Sequence, residues 1–326
     1  VIILNKEKNV TSFKAIKDVQ KEMKFKKAGH GGTLDPLATG VLPIFFNSST
    51  RFIEYIANDS KEYVAEFVLG LSSNTEDITG QLEYHPNSKE PSKNDIDEVL
   101  QSFIGKIKQL APEYSAKKIK GVPMYKLARK GEKFERREQE IEITSLDLIK
   151  YDYPNFSIQV NCSKGTYVRT LGCDIAKMLG TTAVLSDLKR TRFGNLSIDD
   201  SISFDALKNL DNQAKMQYVK RVEEILINIP RINISSTEVN KFRNGSKVEP
   251  GELYPCSACP TKSTATISGS AFSSAIIPIS VGPANKSIPT LPNKILLASA
   301  TNWFPGPTNI SAGAFPNKPF VIAAIA

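Results

Sequence analysis

The chain has 326 residues, 40% hydrophobic and 23% charged, which is enough apolar material for a sizeable core and excludes wholesale disorder. Its 42 Lys and Arg outnumber 34 Asp and Glu for a net charge of +8, a balance that favours a polyanionic partner. No run of about twenty uninterrupted apolar residues could span a bilayer, and four Cys in this length make no disulfide framework, so the expectation is a soluble protein of the reducing cytoplasm. The charge is uneven. From Leu253 to Ala326 there is no Asp, Glu or Arg, and four lysines there carry half of the excess.

In chain order, Ser12 is placed to cap a helix running to about Lys24, with Phe13, Ile16, Val19 and Met23 on its apolar side and Lys14, Lys17 and Lys21 opposite. Lys24, Lys26 and Lys27 extend that charge to a glycine-rich segment, where phosphate contact and a plain solvated face are both open readings. Residues 61–69 alternate, with Tyr63, Ala65, Phe67 and Leu69 on one face of a half-buried strand. Residues 94–106 carry Ile96, Val99, Leu100, Phe103 and Ile104 at helical spacing. A second alternating strand, Phe156 to Cys162, runs into the turn Ser163-Lys164-Gly165, after which Leu171, Ile175, Met178 and Leu179 read as a helix stopped at Gly180. Strands and helices mix over residues 1–225 without strict alternation. This predicts an α+β domain around a largely antiparallel sheet flanked by helices.

The segment from Gly29 to Phe46 has only His30 and Asp35 as ionisable groups, which is unusual in so charged a chain. Pro36 keeps Asp35 out of helical geometry, and the apolar run that follows predicts a desolvated carboxylate in need of a cationic partner; an Asp-Pro turn bonding only its own backbone is the alternative. Gly29, Gly31 and Gly32 around His30 would let a nucleic-acid backbone approach closely. Arg169 falls near the start of the helix ending at Gly180, where the helix dipole disfavours a cation, and an ion pair with Asp35 would account for it. Between Lys117 and Arg137 nine basic residues meet two acidic ones, a local +7, with Tyr114, Met124, Tyr125 and Phe134 close by. Basic charge mixed with aromatic side chains suits RNA.

The run Gly29-His30-Gly31-Gly32-Thr33-Leu34-Asp35-Pro36-Leu37-Ala38-Thr39-Gly40-Val41-Leu42-Pro43 resembles the catalytic-loop signature of bacterial TruB-type tRNA pseudouridine synthases. Three more blocks follow in the family's order. They are Lys61-Glu62-Tyr63, then Pro112 to Gly121 (with Lys117, Lys118 and Lys120) followed by Tyr125, Ala128 and Arg129, and lastly Cys162 to Thr170. The resemblance covers about residues 2–225 and implies isomerisation of uridine 55 in the T-arm stem-loop of tRNA, with no cofactor, metal, membrane or obligate protein partner. It implies Asp35 as catalytic aspartate, Arg169 as its partner, Tyr63 packed on a flipped-out base, His30 in the space the base vacates, and Tyr167 and Leu188 in the pocket. Lys117, Lys118, Lys120 and Arg129 would grip the RNA. Where the family reads Lys-Pro-x-Gly-x-Thr-Ser, this chain has Lys6-Glu7-Lys8-Asn9-Val10-Thr11-Ser12.

Residues 226–250 resemble the opening of a PUA-like RNA-binding module, but the resemblance stops near Gly251. Residues 251–326 form a low-complexity tail without clear paired strands, and a lost reading frame would explain the break. Cys256 and Cys259 are a lone Cys-x-x-Cys, too little for zinc. The alternatives are an RNA-binding protein or tRNA-folding chaperone without catalysis and, more remotely, a glycosidase, although no second acid accompanies Asp35 in its loop.

Overall fold

The computed structural model describes residues 1–115, 117–119, 121–132 and 134–227, with the strand segments 231–234, 253–254, 279–281 and 322–325. These residues fall into two compact units: Ile2–Phe46 with Ile53–Tyr218, and Val1, Asn47–Phe52 and Val219 onward.

The larger unit begins with β1 (Ile2–Lys6), α1 (Ser12–Glu22), β2 (Ala28–His30), β3 (Thr39–Phe46), α2 (Ile53–Ile56) and β4 (Lys61–Leu69). A hairpin of β5 (Leu71–Ser73) and β6 (Leu82–Tyr84) precedes α3 (Lys93–Ser102) and β7 (Gly105–Leu110). The basic segment holds β8 (Lys118–Ile119), β9 (Val122–Pro123) and α4 (Met124–Arg129), and leads to β10 (Glu138–Asp152), β11 (Asn155–Cys162) and α5 (Val168–Met178). After β12 (Ala183–Phe193) come β13 (Leu196–Ser197), β14 (Ile202–Ser203), α6 (Phe204–Asn209) and α7 (Asn212–Gln217).

The main sheet runs β14-β1-β3-β12-β4-β11-β10-β7, with β2 beside β3 and β13 beside β12. Only the β1/β14 and β3/β12 pairs are parallel, so the sheet is largely antiparallel, as the pattern predicts. β3 is buried from Gly40 to Phe46 on both faces of the sheet, which matches its unbroken apolar sequence. On β4 the alternate residues Lys61, Tyr63, Ala65, Phe67 and Leu69 are buried, and Phe67 stacks on Phe156 of β11 at 5.0 Å between ring centroids.

Several local expectations are corrected. Thr11, not Ser12, caps α1, its hydroxyl accepting from the Lys14 amide at 3.1 Å. Ser12 is turned inward instead, and Phe13 is 69% exposed, because the buried stripe of α1 is Ser12, Ala15, Ile16 and Val19. The helix expected over 94–106 stops at Ser102, and Ile104 is exposed ahead of β7. Met178 is likewise exposed at the end of α5, while Gly180 takes the left-handed φ of +75° that ends the helix.

The second unit holds α8 (Val222–Ile225) and a four-stranded sheet of order β16-β15-β18-β17, from β15 (Arg231–Ile234), β16 (Leu253–Tyr254), β17 (Ile279–Val281) and β18 (Ile322–Ile325). Three of these strands fall where the sequence shows no pairing pattern. At two to four residues each, they are too short for alternation to register. Cys256, Cys259 and most of residues 228–326 lie outside the described residues. Among the described residues no helix is long and apolar enough to cross a membrane.

Candidate active site

A cavity of about 280 Å³ opens where β4, β12, the loop after β2 and the start of α5 converge. β4 and β12 are antiparallel with Tyr63 opposite Arg190 and Ala65 opposite Leu188, which puts Tyr63, Arg190 and Leu188 on one face of the sheet. All three line the cavity, as do Asp35, Tyr167 and Arg169.

The loop that carries Asp35 is fastened through its backbone. The Ser12 hydroxyl donates to the Leu34 carbonyl at 2.8 Å and accepts from the Leu34 amide at 2.9 Å. The Pro36 carbonyl accepts from the Asn9 amide at 2.8 Å and from Lys6 Nζ at 3.3 Å. Asn9 has φ of +63°, so the residue standing where the family has glycine adopts the left-handed backbone that glycine would, a conformation asparagine tolerates. Leu34, Leu37 and Ala38 are buried, but the Asp35 side chain is 42% exposed. The expected desolvated carboxylate is therefore corrected: the apolar neighbours bury the backbone of the loop and leave the carboxylate facing the cavity.

Its expected partner is present. Arg169 Nε lies 3.0 Å from Asp35 Oδ2, and the Arg169 side chain is only 6% exposed. Nη1 donates to the Thr75 carbonyl at 2.8 Å and Nη2 to the Tyr114 carbonyl at 3.1 Å. Asp77 is a second carboxylate, its Oδ2 3.5 Å from Nη1 and its side chain 8% exposed. Asp77 is held by the Thr75 hydroxyl at 2.8 Å, the Thr79 amide at 2.9 Å and the Thr79 hydroxyl at 2.5 Å. Sequence reasoning missed Asp77; Thr75-x-Asp77-x-Thr79 signals a side-chain-bonded turn, but nothing in it points at Arg169. Tyr167, which precedes α5, makes no side-chain cap. Buried Gln109 of β7 clamps its backbone, accepting from the Tyr167 amide at 2.8 Å and donating to its carbonyl at 3.0 Å.

The back of the site is cationic. Arg190 is 1% exposed and donates from Nε to the Val41 carbonyl at 2.7 Å and from Nη2 to the Gly32 carbonyl at 3.1 Å. It stands opposite Tyr63 on the β4/β12 ladder. Burial pushes the Tyr63 phenol up and the Arg190 guanidinium down, and each is eased by the other. Lys61 Nζ donates to the Ala57 carbonyl at 3.0 Å and to that of Asp59, and sits 4.4 Å from the Phe193 ring centroid. Burial lowers the Lys61 ammonium to about 8, and Lys6 likewise to about 8, with Asp35 pulling Lys6 back up.

His30 is not among the cavity-lining residues. It pairs opposite Ile44 on the β2/β3 ladder, its Nδ1 is buried without a hydrogen-bond partner, and burial lowers its imidazole below the usual range. Gly31 and Gly32 serve packing: a Cβ would meet Ile56 Cδ1 at 2.6 Å in one and Phe193 Cε2 at 2.9 Å in the other. Both glycines also line the cavity. In the basic segment, Lys117 Nζ donates to Gln139 Oε1 at 3.2 Å, while Lys126, Arg129 and Lys130 are exposed. Arg129 also lies 5.7 Å from the Tyr125 ring. Lys118 is described only as backbone of β8, and Lys120 lies outside the described residues. No cluster of three or more metal-ligating side chains occurs among the described residues.

A carboxylate held through one oxygen by a buried, doubly paired arginine, open to a cavity backed by a tyrosine and a leucine, can act on a flat, apolar-faced ligand carrying an electrophilic carbon. Among solved structures, "Crystal Structure of a Cbf5-Nop10-Gar1 Complex" superposes with a TM-score of 0.60 at 24% identity, covering 78% of this chain and 70% of that one. "Structure of H/ACA RNP bound to a substrate RNA containing 2'-deoxyuridine" gives 0.59 at 22%, with the same coverage. The fold is thus shared with chains of these two assemblies. Residues 20–168 match the TruB family pseudouridylate synthase (N terminal domain). The "tRNA pseudouridine synthase B" of Clostridium tetani (strain Massachusetts / E88) is 39% identical over 253 residues, 78% of this chain and 86% of that protein. Its namesake in Francisella tularensis subsp. novicida (strain U112) is 38% identical over 239 residues, 73% and 79% of the two chains. The chain belongs to the TruB family of pseudouridylate synthases.

Proposed function

We propose that this chain isomerises uridine 55 in the T-arm of tRNA to pseudouridine. The relatives named tRNA pseudouridine synthase B support the reaction, and the observation that carries it to this site is Asp35, ion-paired at 3.0 Å with buried Arg169 yet open to the cavity.

In the reaction the bond between N1 and C1′ breaks, the base turns, and C5 joins C1′ while the proton on C5 leaves and N1 gains one. Atoms balance without a co-reactant. Asp35 is the catalytic nucleophile, whether it attacks C1′ or uracil C6; the same placement also serves a route through a glycal. Arg169 holds the carboxylate in place and aimed at the cavity. Tyr63 packs on the base and accepts the departing proton, and Leu188 and Tyr167 complete the pocket. A base inside a folded loop must leave its stack first, at a cost of roughly a few kcal/mol, and His30 fills the space left behind. Lys117, Lys118, Lys120 and Arg129 bind RNA phosphates. We assign catalysis to residues 1–225, a PUA-like start to 226–250 and an atypical tail to 251–326, whose frame resequencing of the coding DNA would test. The free thiols Cys162 and Cys173 support a cytoplasmic setting.

Incubating a T-arm stem-loop RNA with the protein and digesting it to nucleosides tests the reading. Pseudouridine is expected from the wild type and none from Asp35→Asn, whose RNA affinity stays within about threefold, since truncating a group used in the chemistry leaves the other contacts intact. Binding without product by the wild type would make this an RNA chaperone instead.

A further inference from the structure

The turn Ser163-Lys164-Gly165 between β11 and α5 has no part in the chemistry assigned to Asp35, yet it borders the same cavity. The β4/β11 ladder sets Cys162 opposite Lys61, so Lys164, two residues further on, lies beside the start of β4. Both ammonium groups hang on one three-residue stretch: Lys61 Nζ donates to the Ala57 and Asp59 carbonyls, and Lys164 Nζ to Asn58 Oδ1 at 2.6 Å. Lys61 is 8% exposed and belongs to the cavity wall, whereas Lys164 is exposed and stands at the mouth. No carboxylate lies within ion-pair distance of either lysine among the described residues. Two like charges this near each other repel, and Asp35, the only carboxylate among the residues lining the cavity, is taken up by Arg169. The amides of Lys164, Gly165 and Thr166 donate to no protein group among the described residues, which leaves three more donors on the same turn.

We propose that this edge of the cavity is an anion subsite for a phosphodiester next to the target nucleotide, with Lys164 touching the phosphate and buried Lys61 as fixed charge behind it. The inference rests on the reading of this cavity as a uridine pocket. A nucleotide whose base leaves its stack turns about its own backbone, so a flanking phosphate is carried to the mouth of the pocket that takes the base. There it offsets the repulsion between the two lysines. It also uses donors that the protein leaves free, since an ammonium has three and Asn58 takes one from Lys164. Unlike the basic segment between Lys117 and Arg137, Lys164 borders the cavity itself, so its contact sets which nucleotide reaches Asp35.

T-arm stem-loop RNAs carrying a single uncharged methylphosphonate, either 5′ or 3′ of the target uridine, provide the test, with the unmodified RNA as reference. Affinities are measured with Asp35→Asn, which removes turnover, and with Asp35→Asn combined with Lys164→Gln or Asn58→Ala. Lys164→Gln is expected to weaken the unmodified RNA by about tenfold, the worth of one charged hydrogen bond. It should weaken one of the two methylphosphonate RNAs by less than about twofold, because the charge that Lys164 meets is already gone. Asn58→Ala leaves the ammonium in place, so the unmodified RNA should bind within about twofold of its former affinity. A folding defect in the Lys164→Gln protein would weaken all three RNAs alike. Equal losses on all three, or no loss on any, would overturn the proposal. So would an Asn58→Ala loss as large as that of Lys164→Gln, which would make Lys164 a strut for its loop. A wild type that makes no pseudouridine from the unmodified RNA would instead refute the functional reading itself.

Discussion

At the scale of single residues the site is an arrangement of charge. Arg169 is shared between Asp35, which faces the cavity, and Asp77, which is buried and held by three other donors. Converting Asp77 to Asn removes the second negative charge from Arg169 and leaves only the Thr75 and Tyr114 carbonyls to place its outer nitrogens, so the turnover rate is expected to fall roughly ten- to hundredfold, the worth of one charged hydrogen bond, with RNA affinity unchanged. Single-turnover kinetics beside a filter-binding titration would show whether the loss is confined to the chemical step. A second expectation concerns pH. Burial raises the Asp59 carboxyl from 3.8 to about 6, with Lys61 pulling it back. The folded protein then holds that proton more tightly than the unfolded chain, so stability falls as pH rises from about 4 to about 6 and the cost is fully present above that range. Asp59→Asn should raise the urea midpoint at pH 7 and leave it nearly unchanged near pH 4; equal midpoint shifts at both would show that the charge is not the cause. Asp35 and Arg169 were legible in the sequence because a proline, a charge-poor loop and a cation at a helix start are local signals. Asp77, Gln109 and Arg190 carry no such signal, since each matters only through a partner at least 58 residues away or on a neighbouring strand.

Secondary-structure elements show where periodicity succeeds and where it misleads. β4 and β11 read correctly because one face of each is buried along its whole length. In α1 the buried stripe starts one residue earlier than composition suggests: Phe13 looks like core, but the burial of Ser12 is offset by its two hydrogen bonds to Leu34, and a helix that buries position 12 turns position 13 out. Ser12→Ala is therefore expected to lower activity more than stability, because it frees the loop bearing Asp35. A tenfold or larger fall in turnover, with a stability change of about 1 kcal/mol from one pair of lost hydrogen bonds, is the predicted split in stopped-flow and urea measurements. α5 is fixed against the sheet by an intimate contact in which a Cβ at Gly172 would collide with the Phe67 ring. Gly172→Ala should destabilise by roughly 1–3 kcal/mol through overpacking, and it should also slow turnover, since α5 carries Arg169. An unchanged urea midpoint would show that the helix can shift at no cost.

For the molecule as a whole the net charge proved a poor guide and its distribution a better one. The excess of +8 suggests a polyanion, but the local +7 between Lys117 and Arg137 is where a phosphate backbone is expected to lie. Replacing exposed Lys126, Arg129 and Lys130 with Gln should weaken RNA binding and make the slope of log affinity against log salt shallower by about two units, at 0.7 per contact with single-stranded RNA, while turnover at saturating RNA stays the same. A slope that does not change would place the RNA elsewhere. The amino-acid order by itself determined the α+β class, the strands β4 and β11 and the family, and through the family motif it pointed to the Asp35–Arg169 pairing, because these rest on local periodicity, on turn chemistry and on a long contiguous motif. Only the tertiary structure decided that Asp35 is open rather than buried, that the loop glycines make room for Ile56 and Phe193, and that Arg190 stands behind Tyr63. Each of these depends on which distant residue occupies the adjoining space, and the pairing of strands far apart in the sequence sets that.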